Sequence, residues 1–482
     1  MKNHKNPLPT NNRRFPCLIG SGNTESIFSF GTRAQDVLVV LFVADLNHDY
    51  STLLCTNRDR TFGQQEILPA KLDHVRALGT CHLEVFVLRC FLGNITRATA
   101  KKEPQLAIGF REKVVKEPLR KYKGTNLMQL SPSTVDREPR QLVICMSRIF
   151  AFEKWQLLLT AMEVYRFLKV DLVVTYVNSV LSSIYALMKA YEREGRLLIK
   201  PGIKFPYTKG MQYDPNMQTE FNSQILLAHE CFYTFRESAD FIALIDWDDL
   251  LVTAQFPSLG DAFHQAAIQS PNVAYFMVNK LESTFNERER DPRLFSIRQL
   301  ISQEIRTAHI YNDEKMVVRP TKLRGFWMHN SEYREGDSEP VHLTTNYSLM
   351  LHLANEERVP EEEFNTYFLA SLLDLDKIEK NLQEFMGRRE VAEILQSLPR
   401  SQPYFDAIYQ CHKNIFIYYK AIHEAVCLSY ALCNFPKVNA PCTIAESRFE
   451  SKKIIKDNDF WFYVAHLRTH SGFKEKRNGC VD

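Results

Sequence analysis

A short acidic run is the clearest chemical signal in the sequence. Asp246, Asp248 and Asp249 flank Trp247, directly after the apolar run 241–245. Carboxylate oxygens are the ligands that Mg²⁺ and Mn²⁺ prefer. Three negative charges this close repel each other, and beside an apolar strand they need a cation to compensate them. We therefore expect a divalent metal at Asp246 and Asp248, although a solvated acidic turn would carry the same short motif.

A metal at this position would have a defined use in group transfer. It would bridge the oxygens of a diphosphate and neutralise the charge that develops as the bond to the diphosphate breaks. Lys315 and Arg319 fall on one face of a predicted strand and could approach the same diphosphate. Ordinary surface cations would show the same spacing.

The group that takes the proton from an acceptor hydroxyl is not fixed by the sequence. Such a base is a carboxylate or a histidine, and the candidates are Asp249, Glu332 and Asp337, with Glu282 and His329 as further possibilities. His329 could also be the third metal ligand or a phosphate contact. A partly buried histidine bonded to backbone is an equally good interpretation of that residue.

The elements that must position the acidic run alternate between strand and helix patterns. Apolar runs at 141–146, 171–177, 196–201 and 240–246 predict strands, and helical spacing recurs between them at 152–170, 182–194 and 217–236. Such alternation predicts an α/β fold with a mostly parallel sheet, whose ligands bind at the carboxyl ends of the strands. Asp246 occupies such an end, and further strands are predicted at 272–280 and 314–319.

The remainder of the chain divides by composition. Polar residues without periodicity predict a disordered lead at 1–35, and short β-type runs predict a small β-rich domain at 36–110. A basic, proline-punctuated connector spans 111–140. We expect the catalytic domain at 141–350 and a helical C-terminal region at 351–482.

Composition excludes some classes of protein. The net charge of +3, from 60 basic and 57 acidic residues among 482, gives no basic excess for nucleic-acid binding. Eleven cysteines show no two-residue spacing of a zinc or redox motif, and the spacing leaves disulfides and free thiols equally open. No signal peptide is recognisable, and the apolar run 37–44 is far shorter than the ~20 residues that cross a bilayer.

Several ordered blocks lie between about Leu142 and His329. They are "VICMSRIFAFEKWQLLL", "DLVVTYVNSV", "YEREGRLLI", the predicted helix that includes Cys231, "FIALIDWDDLL" and the later "KMVVRP" with "MH". Together they resemble glycosyltransferase family 92. The resemblance implies an A-type glycosyltransferase fold, a Rossmann-like mixed, mostly parallel sheet. It also implies transfer of a sugar, by likeness galactose, from a UDP-sugar to a glycan or glycoprotein acceptor, with inversion and with Mn²⁺ at Asp246 and Asp248.

The resemblance extends to single residues and to cellular location. It places Tyr176, Asn178 and Ser179 on the nucleotide side of the site, and it implies a membrane-associated protein of the Golgi or another secretory membrane. The chain departs from the family pattern where Asp248-Asp249 replaces Asp-Glu and where His229-Glu230-Cys231 replaces Asn-Asp-Cys. A downstream His-Tyr-Arg step has its nearest counterpart in "MLHLANEE", residues 350–357.

Two other functions fit parts of the same pattern. "DWDDLL" is similar to the nucleophile motif of haloacid-dehalogenase-type phosphatases, in which the first aspartate attacks phosphorus. That motif normally opens its domain, whereas here at least three strand–helix units precede it. A family member that binds glycans without turning them over is the second alternative, because a fold does not guarantee activity.

Overall fold

The structure is a computed structural model. It describes residues 17–20, 26–30, 35–45, 50–51, 53–58, 65–75, 80–91, 105–110, 128–129, 135–207, 213–286, 290–354, 360–364, 366–422, 426–457, 460–467 and 472–481. Most of the predicted connector 111–140 and the first part of the predicted lead 1–35 lie outside these ranges.

The strands of the described part are β1 Cys17–Gly20, β2 Ser26–Phe30, β3 Gln35–Asp45, β4 Leu53–Arg58, β5 Gln65–Leu68, β6 Ala70–His74, β7 Leu83–Phe91, β8 Gln105–Phe110, β9 Met128–Gln129, β10 Arg140–Met146, β11 Leu172–Val177, β12 Ser179–Leu181, β13 Leu197–Pro201, β14 Ala239–Ile245, β15 Asp249–Val252, β16 Val273–Ser283, β17 Thr307–Val318, β18 Glu339–Leu343, β19 Leu349–Leu353, β20 Cys442–Glu446, β21 Phe449–Asp457, β22 Phe460–Leu467 and β23 Gly472–Lys476. The α-helices are α1 Trp155–Phe167, α2 Ser182–Arg193, α3 Gln224–Phe235, α4 Leu259–Gln269, α5 Ile297–Gln299, α6 Phe368–Leu372, α7 Leu375–Met386, α8 Arg389–Leu395 and α9 Pro403–Ile422.

A nine-stranded mixed sheet forms the centre of the molecule. Its order is β13-β11-β10-β14-β17-β16-β19-β15, with β18 beside β16. The first four strands in that order are parallel, as the strand–helix alternation predicts, and β17 pairs antiparallel to β14. The predicted α/β class with a mixed sheet is therefore confirmed.

Both faces of the parallel half are buried, which explains its continuous apolar runs. Along β10, Leu142 and Ile144 join a core cluster with α1, whereas Val143 and Cys145 join a second cluster with α3. Successive strand residues point to opposite faces. A short apolar run in the sequence thus marks a strand that is covered on both sides.

The N-terminal strands do not pack as an isolated unit. Along β3, alternate residues such as Val39 and Leu41 join the core that contains α3, while Val40 and Phe42 join a separate cluster between the two N-terminal sheets. The β-rich region therefore shares a core with the central sheet. Strands β1 and β2 lie within the predicted disordered lead, and β1 pairs with β22 from the C-terminal region.

Two predicted helical stretches differ from the structure. The stretch predicted at 217–236 begins at the last residue of a 3₁₀ turn, Pro215–Met217, and contains a second one, Glu220–Asn222, before α3 begins at Gln224. The α-helix starts only there because Phe221, Asn222 and Ser223 all have positive φ, of 44°, 52° and 68°. The C-terminal region 351–482 is not helical throughout. Among its described residues the last α-helix ends at Ile422, and a 3₁₀ turn at Tyr430–Leu432 and strands β20 to β23 follow. No helix in the described ranges is both long and apolar enough to cross a bilayer.

Five disulfides join the described residues. They are Cys55–Cys90, Cys81–Cys427, Cys145–Cys231, Cys411–Cys433 and Cys442–Cys480. Cys145–Cys231 links β10 to α3, and Cys81–Cys427 links the N-terminal strands to a segment 346 residues later. Cys81–Cys427 thus ties the segment 426–433, called the C-terminal segment below, covalently to the N-terminal strands.

Glu153 holds the first turn of α9. Its Oε2 accepts hydrogen bonds from the backbone N–H groups of Tyr404 and Phe405, at 2.8 and 3.0 Å. The Tyr404 hydroxyl in turn accepts from the backbone N–H of Cys480 at 2.9 Å. Burial raises the pKa of Glu153 to about 7, although the backbone donors oppose the shift.

The raised pKa of Glu153 predicts a pH-dependent stability. The pKa of Glu153 is higher in the folded than in the unfolded protein. Its contribution to the free energy of unfolding is therefore fully present below about pH 4 and is lost as the pH rises towards 7. We expect the free energy of unfolding to fall by about 2 kcal/mol more between pH 4.5 and 7.5 in the native protein than in Glu153→Gln. Urea unfolding at several pH values measures this, with the exposed Glu384→Gln as control. Parallel pH slopes for Glu153→Gln and the native protein would contradict the assignment.

Candidate functional site

The acidic run forms a tight turn at the end of β14. The backbone N–H of Asp249 donates to the carbonyl of Asp246 at 3.1 Å, and Asp249 then begins β15. Trp247 is buried between them, and its indole N–H donates to Thr175 Oγ1 at 3.1 Å. This buried indole anchors the turn. The bend of the backbone allows Asp246 and Asp248, two residues apart, to lie on the same side.

Strand pairing places a histidine beside the turn. Asp249 of β15 lies opposite His352 of β19, and His352 lies opposite Glu282 of β16. His352 Nδ1 contacts Glu282 Oε2 at 2.8 Å, and its Nε2 lies 3.7 Å from Asp248 Oδ2. The imidazole therefore lies between two carboxylates, one buried and one 42% exposed.

Two buried lysines compensate the carboxylates. Lys315 Nζ lies 2.5 Å from Asp246 Oδ2 and 3.5 Å from Asp249 Oδ2, and Lys280 Nζ lies 3.7 Å from Asp249 Oδ1. Gln224 also donates to Asp246 at 3.0 Å. The sequence predicts that a metal compensates the negative charge of the aspartates. In the structure, lysines of neighbouring strands compensate part of that charge.

The pKa values of the three aspartates follow from these contacts. Burial raises the pKa of Asp249, and the two lysines only partly oppose it. Burial acts on Asp246 in the same sense, but the Lys315 ammonium holds the pKa of Asp246 well below its usual range. The two neighbouring carboxylates also outweigh the effect of burial on His352 and raise its pKa to about 10.

The residues at this turn fit a hard divalent cation. Ligand atoms of Asp248, Asp249 and His352 all lie within 4.8 Å of one another. Asp249 Oδ1 is buried and accepts no hydrogen bond among the described residues, so it keeps a lone pair for another partner. Two carboxylates and one imidazole suit Mn²⁺, and carboxylate oxygens also suit Mg²⁺. Because the raised pKa keeps the His352 imidazole protonated without a metal, binding of the ion would release that proton.

Lys315 and Arg319, the two cations that the sequence predicts near a diphosphate, lie in different places in the structure. Lys315 lies at the acidic turn. Arg319, four residues along the same extended chain and so ~13 Å away, donates to the carbonyl of Pro271 at 2.8 Å. Only Lys315 joins the site, because the antiparallel pairing of β17 with β14 brings this end of the strand to Asp246.

The other predicted metal and base residues are placed elsewhere. His329 Nδ1 donates to the carbonyl of Glu314 at 2.8 Å, which is the backbone-bonded interpretation. Glu332 and Asp337 are exposed on a loop where Tyr333 donates to the carbonyl of His74 in the N-terminal region. The structure thus brings together Asp246, Asp248 and Asp249 at the acidic turn. Glu332 and Asp337 do not belong to that group.

The predicted nucleotide-side residues divide between core and cavity. Tyr176 is buried in the core, where its hydroxyl donates to Glu230, and burial raises its pKa well above the ordinary value. Asn178 and Ser179 instead line a cavity of about 370 Å³ beyond the ends of β10, β11 and β13. Phe150 and Tyr430 also line it, with stacked rings whose centroids are 3.5 Å apart. Aromatic walls with a few amides are typical of small-molecule sites of this size.

Sequence reasoning missed His352 as a member of the site. The residue lies in "MLHLANEE", the segment nearest to the family's downstream histidine step, so the resemblance contained a signal for it. Glu282 was only one of several base candidates, and Lys280 carried no signal. These three residues meet the acidic turn through strand pairs that join distant parts of the chain.

Comparison with known proteins identifies the family. A family model of glycosyltransferase family 92 matches residues 140–387, which include the whole central sheet and the acidic turn. Two similar proteins of Caenorhabditis elegans are glycosyltransferase family 92 protein F13G3.3, 25% identical over 350 residues (68% of this chain and 69% of that protein), and family 92 protein F59C6.8, 27% identical over 376 residues (73% and 71%). The chain therefore belongs to glycosyltransferase family 92.

Proposed function

We propose that this protein transfers a hexose, galactose by family likeness, from a UDP-sugar to a glycan or glycoprotein acceptor with inversion. The observation that carries the proposal is the convergence of Asp248, Asp249 and His352 at the carboxyl end of β14, inside the segment that matches the family. Ligands of open α/β sheets bind at this edge. Family membership favours sugar transfer over the phosphatase alternative.

The proposed metal site consists of Asp248, Asp249 and His352, with Mn²⁺ or Mg²⁺ as the ion. When bound, the ion neutralises the charge that develops on the diphosphate as the bond to the sugar breaks. Glu282 contacts His352 Nδ1 and so fixes the ring with Nε2 towards Asp248. Asp246 adjoins this set and stays paired with Lys315.

Lys315 supports the same chemistry from the other side of the turn. Its ammonium lies between Asp246 and Asp249, and burial lowers its pKa less than these carboxylates raise it, so the charge is retained. A small cavity that Lys315 and Asp246 line together with Gln224 adjoins the ammonium. We propose that Lys315 contacts the diphosphate there.

The cavity beside Phe150 and Tyr430 is the proposed nucleoside site. It adjoins the ends of the same parallel strands as the acidic turn, and its aromatic rings and amide groups suit a planar base with hydrogen-bonding edges. Asn178 donates to the Tyr430 hydroxyl at 3.0 Å, which joins the strand end to the C-terminal wall of the cavity.

The disulfides bear on location. Five disulfides form readily in the secretory pathway and are rare in reducing compartments. Together with the family, they support a proposed location in the Golgi or another secretory compartment, with membrane association.

Replacement of Asp248 tests the metal site. We expect Asp248→Asn to lower Mn²⁺-dependent UDP release from a UDP-sugar at least 100-fold, since it removes one charged ligand without changing the shape of the side chain. Asp240→Asn is the matched control, because Asp240 lies on β14, the strand that leads into the acidic turn, but is exposed and pairs with His264. UDP release is measured with Mn²⁺ and again after chelation.

The same assay separates the alternatives. Unchanged UDP release in Asp248→Asn would refute the metal assignment. A native protein that binds glycans but releases no UDP from any nucleotide sugar, with or without Mn²⁺, would support the inactive glycan-binding alternative instead.

Replacement of Lys315 tests the charge balance at the turn. We expect Lys315→Met to lower the free energy of unfolding by about 3 kcal/mol, because it leaves Asp246 and the buried Asp249 with less compensation. Addition of Asp246→Asn should restore part of the loss. Arg319→Met is the control, because Arg319 directly follows the same strand and its side chain bonds only the carbonyl of Pro271 among the described residues, and it should cost less than about 1 kcal/mol. Urea unfolding measures the native protein and the three variants, and equal losses for Lys315→Met and Arg319→Met would contradict the assignment.

A further inference from the structure

Arg148 occupies the junction between the two cavities at this edge of the sheet. It follows β10 and lines the small cavity that contains Gln224, Asp246 and Lys315. Its guanidinium carbon lies 5.3 Å from the ring centroid of Tyr430, which lines the large cavity. A single cationic side chain thus lines the small cavity at the acidic turn and contacts a wall residue of the proposed nucleoside site.

An unusual backbone segment holds Arg148 in place. Its Nε donates to the carbonyl of Phe221 at 2.6 Å. Phe221 begins the left-handed segment 221–223, and left-handed backbone costs roughly 1–2 kcal/mol for each residue other than glycine. Phe221 N–H donates to Leu428 at 2.9 Å and Asn222 Oδ1 accepts from Tyr430 N–H at 3.1 Å, so the C-terminal segment fixes this conformation. Strain of this kind concentrates at functional sites.

The terminal nitrogens of Arg148 remain available. Among the described residues, none accepts a hydrogen bond from Nη1 or Nη2, and none forms an ion pair with Arg148. Asp246, the carboxylate whose charge acts on Arg148, is bonded by Lys315 and Gln224. Burial lowers the pKa of Arg148, while Tyr430 and Asp246 oppose the shift. A half-buried guanidinium without a carboxylate partner is costly unless an anion compensates it.

We propose that Arg148 binds the diphosphate of the donor through Nη1 and Nη2 and so positions it between the large cavity and the acidic turn. The assignment rests on the proposed function and adds one residue to it. A guanidinium fork matches two phosphate oxygens at once, and Nε remains on Phe221 to orient the fork. Arg148 and Lys315 would then contact the diphosphate from two sides of the small cavity.

Binding of UDP and of uridine separates this role from a structural one. Calorimetric titration in the presence of Mn²⁺ should show UDP affinity 10- to 100-fold lower in Arg148→Gln, the loss expected for hydrogen bonds to a charged group. Uridine affinity should change less than about twofold, because uridine carries no phosphate. Arg148→Lys keeps the charge but loses the fork, and its UDP affinity should be intermediate. The control is Arg298→Gln, since Arg298 pairs with exposed Asp376 on the surface.

Each outcome bears on the assignment. Equal losses for UDP and uridine would mean that Arg148 only supports the segment 221–223, and unchanged UDP affinity would mean that it does not contact the diphosphate; either result overturns the proposal. Phe221→Gly provides a second check, because glycine adopts positive φ freely and keeps the carbonyl that accepts from Arg148. Its UDP affinity should match the native value, and a 10-fold loss would overturn the described anchoring of Arg148. Absence of UDP binding by the native protein would refute the proposed function itself.

Discussion

Buried negative charge at the end of β14 is the constraint on which the site depends. Asp249 is almost fully buried, and a carboxylate there is stable only if cations lie close to it. Lys280 and Lys315 provide these cations from two neighbouring strands. The antiparallel half of the sheet therefore contributes directly to the site, because its lysines stabilise the buried carboxylate of the acidic turn.

The register of that antiparallel half also determines which groups meet. Since side chains alternate along a strand, a shift of β19 by one residue would turn His352 to the other face of the sheet. In the observed register, Asp249, His352 and Glu282 lie in one row across three strands. Glu282 then orients the imidazole and Asp248 faces it from the turn. In the proposed metal set, the nitrogen ligand therefore reaches the contiguous acidic motif through strand pairing.

The difference between local sequence pattern and the pairing of distant strands explains how much of the fold and of the site the sequence could predict. The parallel half follows from local pattern, because β10, β11 and β14 are apolar runs buried on both faces and separated by helices. Asp246 and Asp248 stand directly after such a run, so their place at the sheet edge is predictable. His352 is 70 residues from its partner Glu282, and no local periodicity reports that contact. Tyr176 is the opposite case, since the family resemblance placed it on the nucleotide side of the site, whereas the alternation of side chains along β11 directs it into the core.

The C-terminal segment completes the site by tertiary contacts that sequence pattern does not encode. Tyr430 lies 252 residues from Asn178, yet the two side chains share a hydrogen bond at the wall of the large cavity. Cys81–Cys427 and Cys411–Cys433 tie this segment to the N-terminal strands and to α9, while Asn222 binds its backbone. The same contacts stabilise the left-handed residues that hold Arg148. The wall of the proposed nucleoside site and the anchor of the proposed diphosphate contact are therefore one structure, so a change in the C-terminal segment must alter both together.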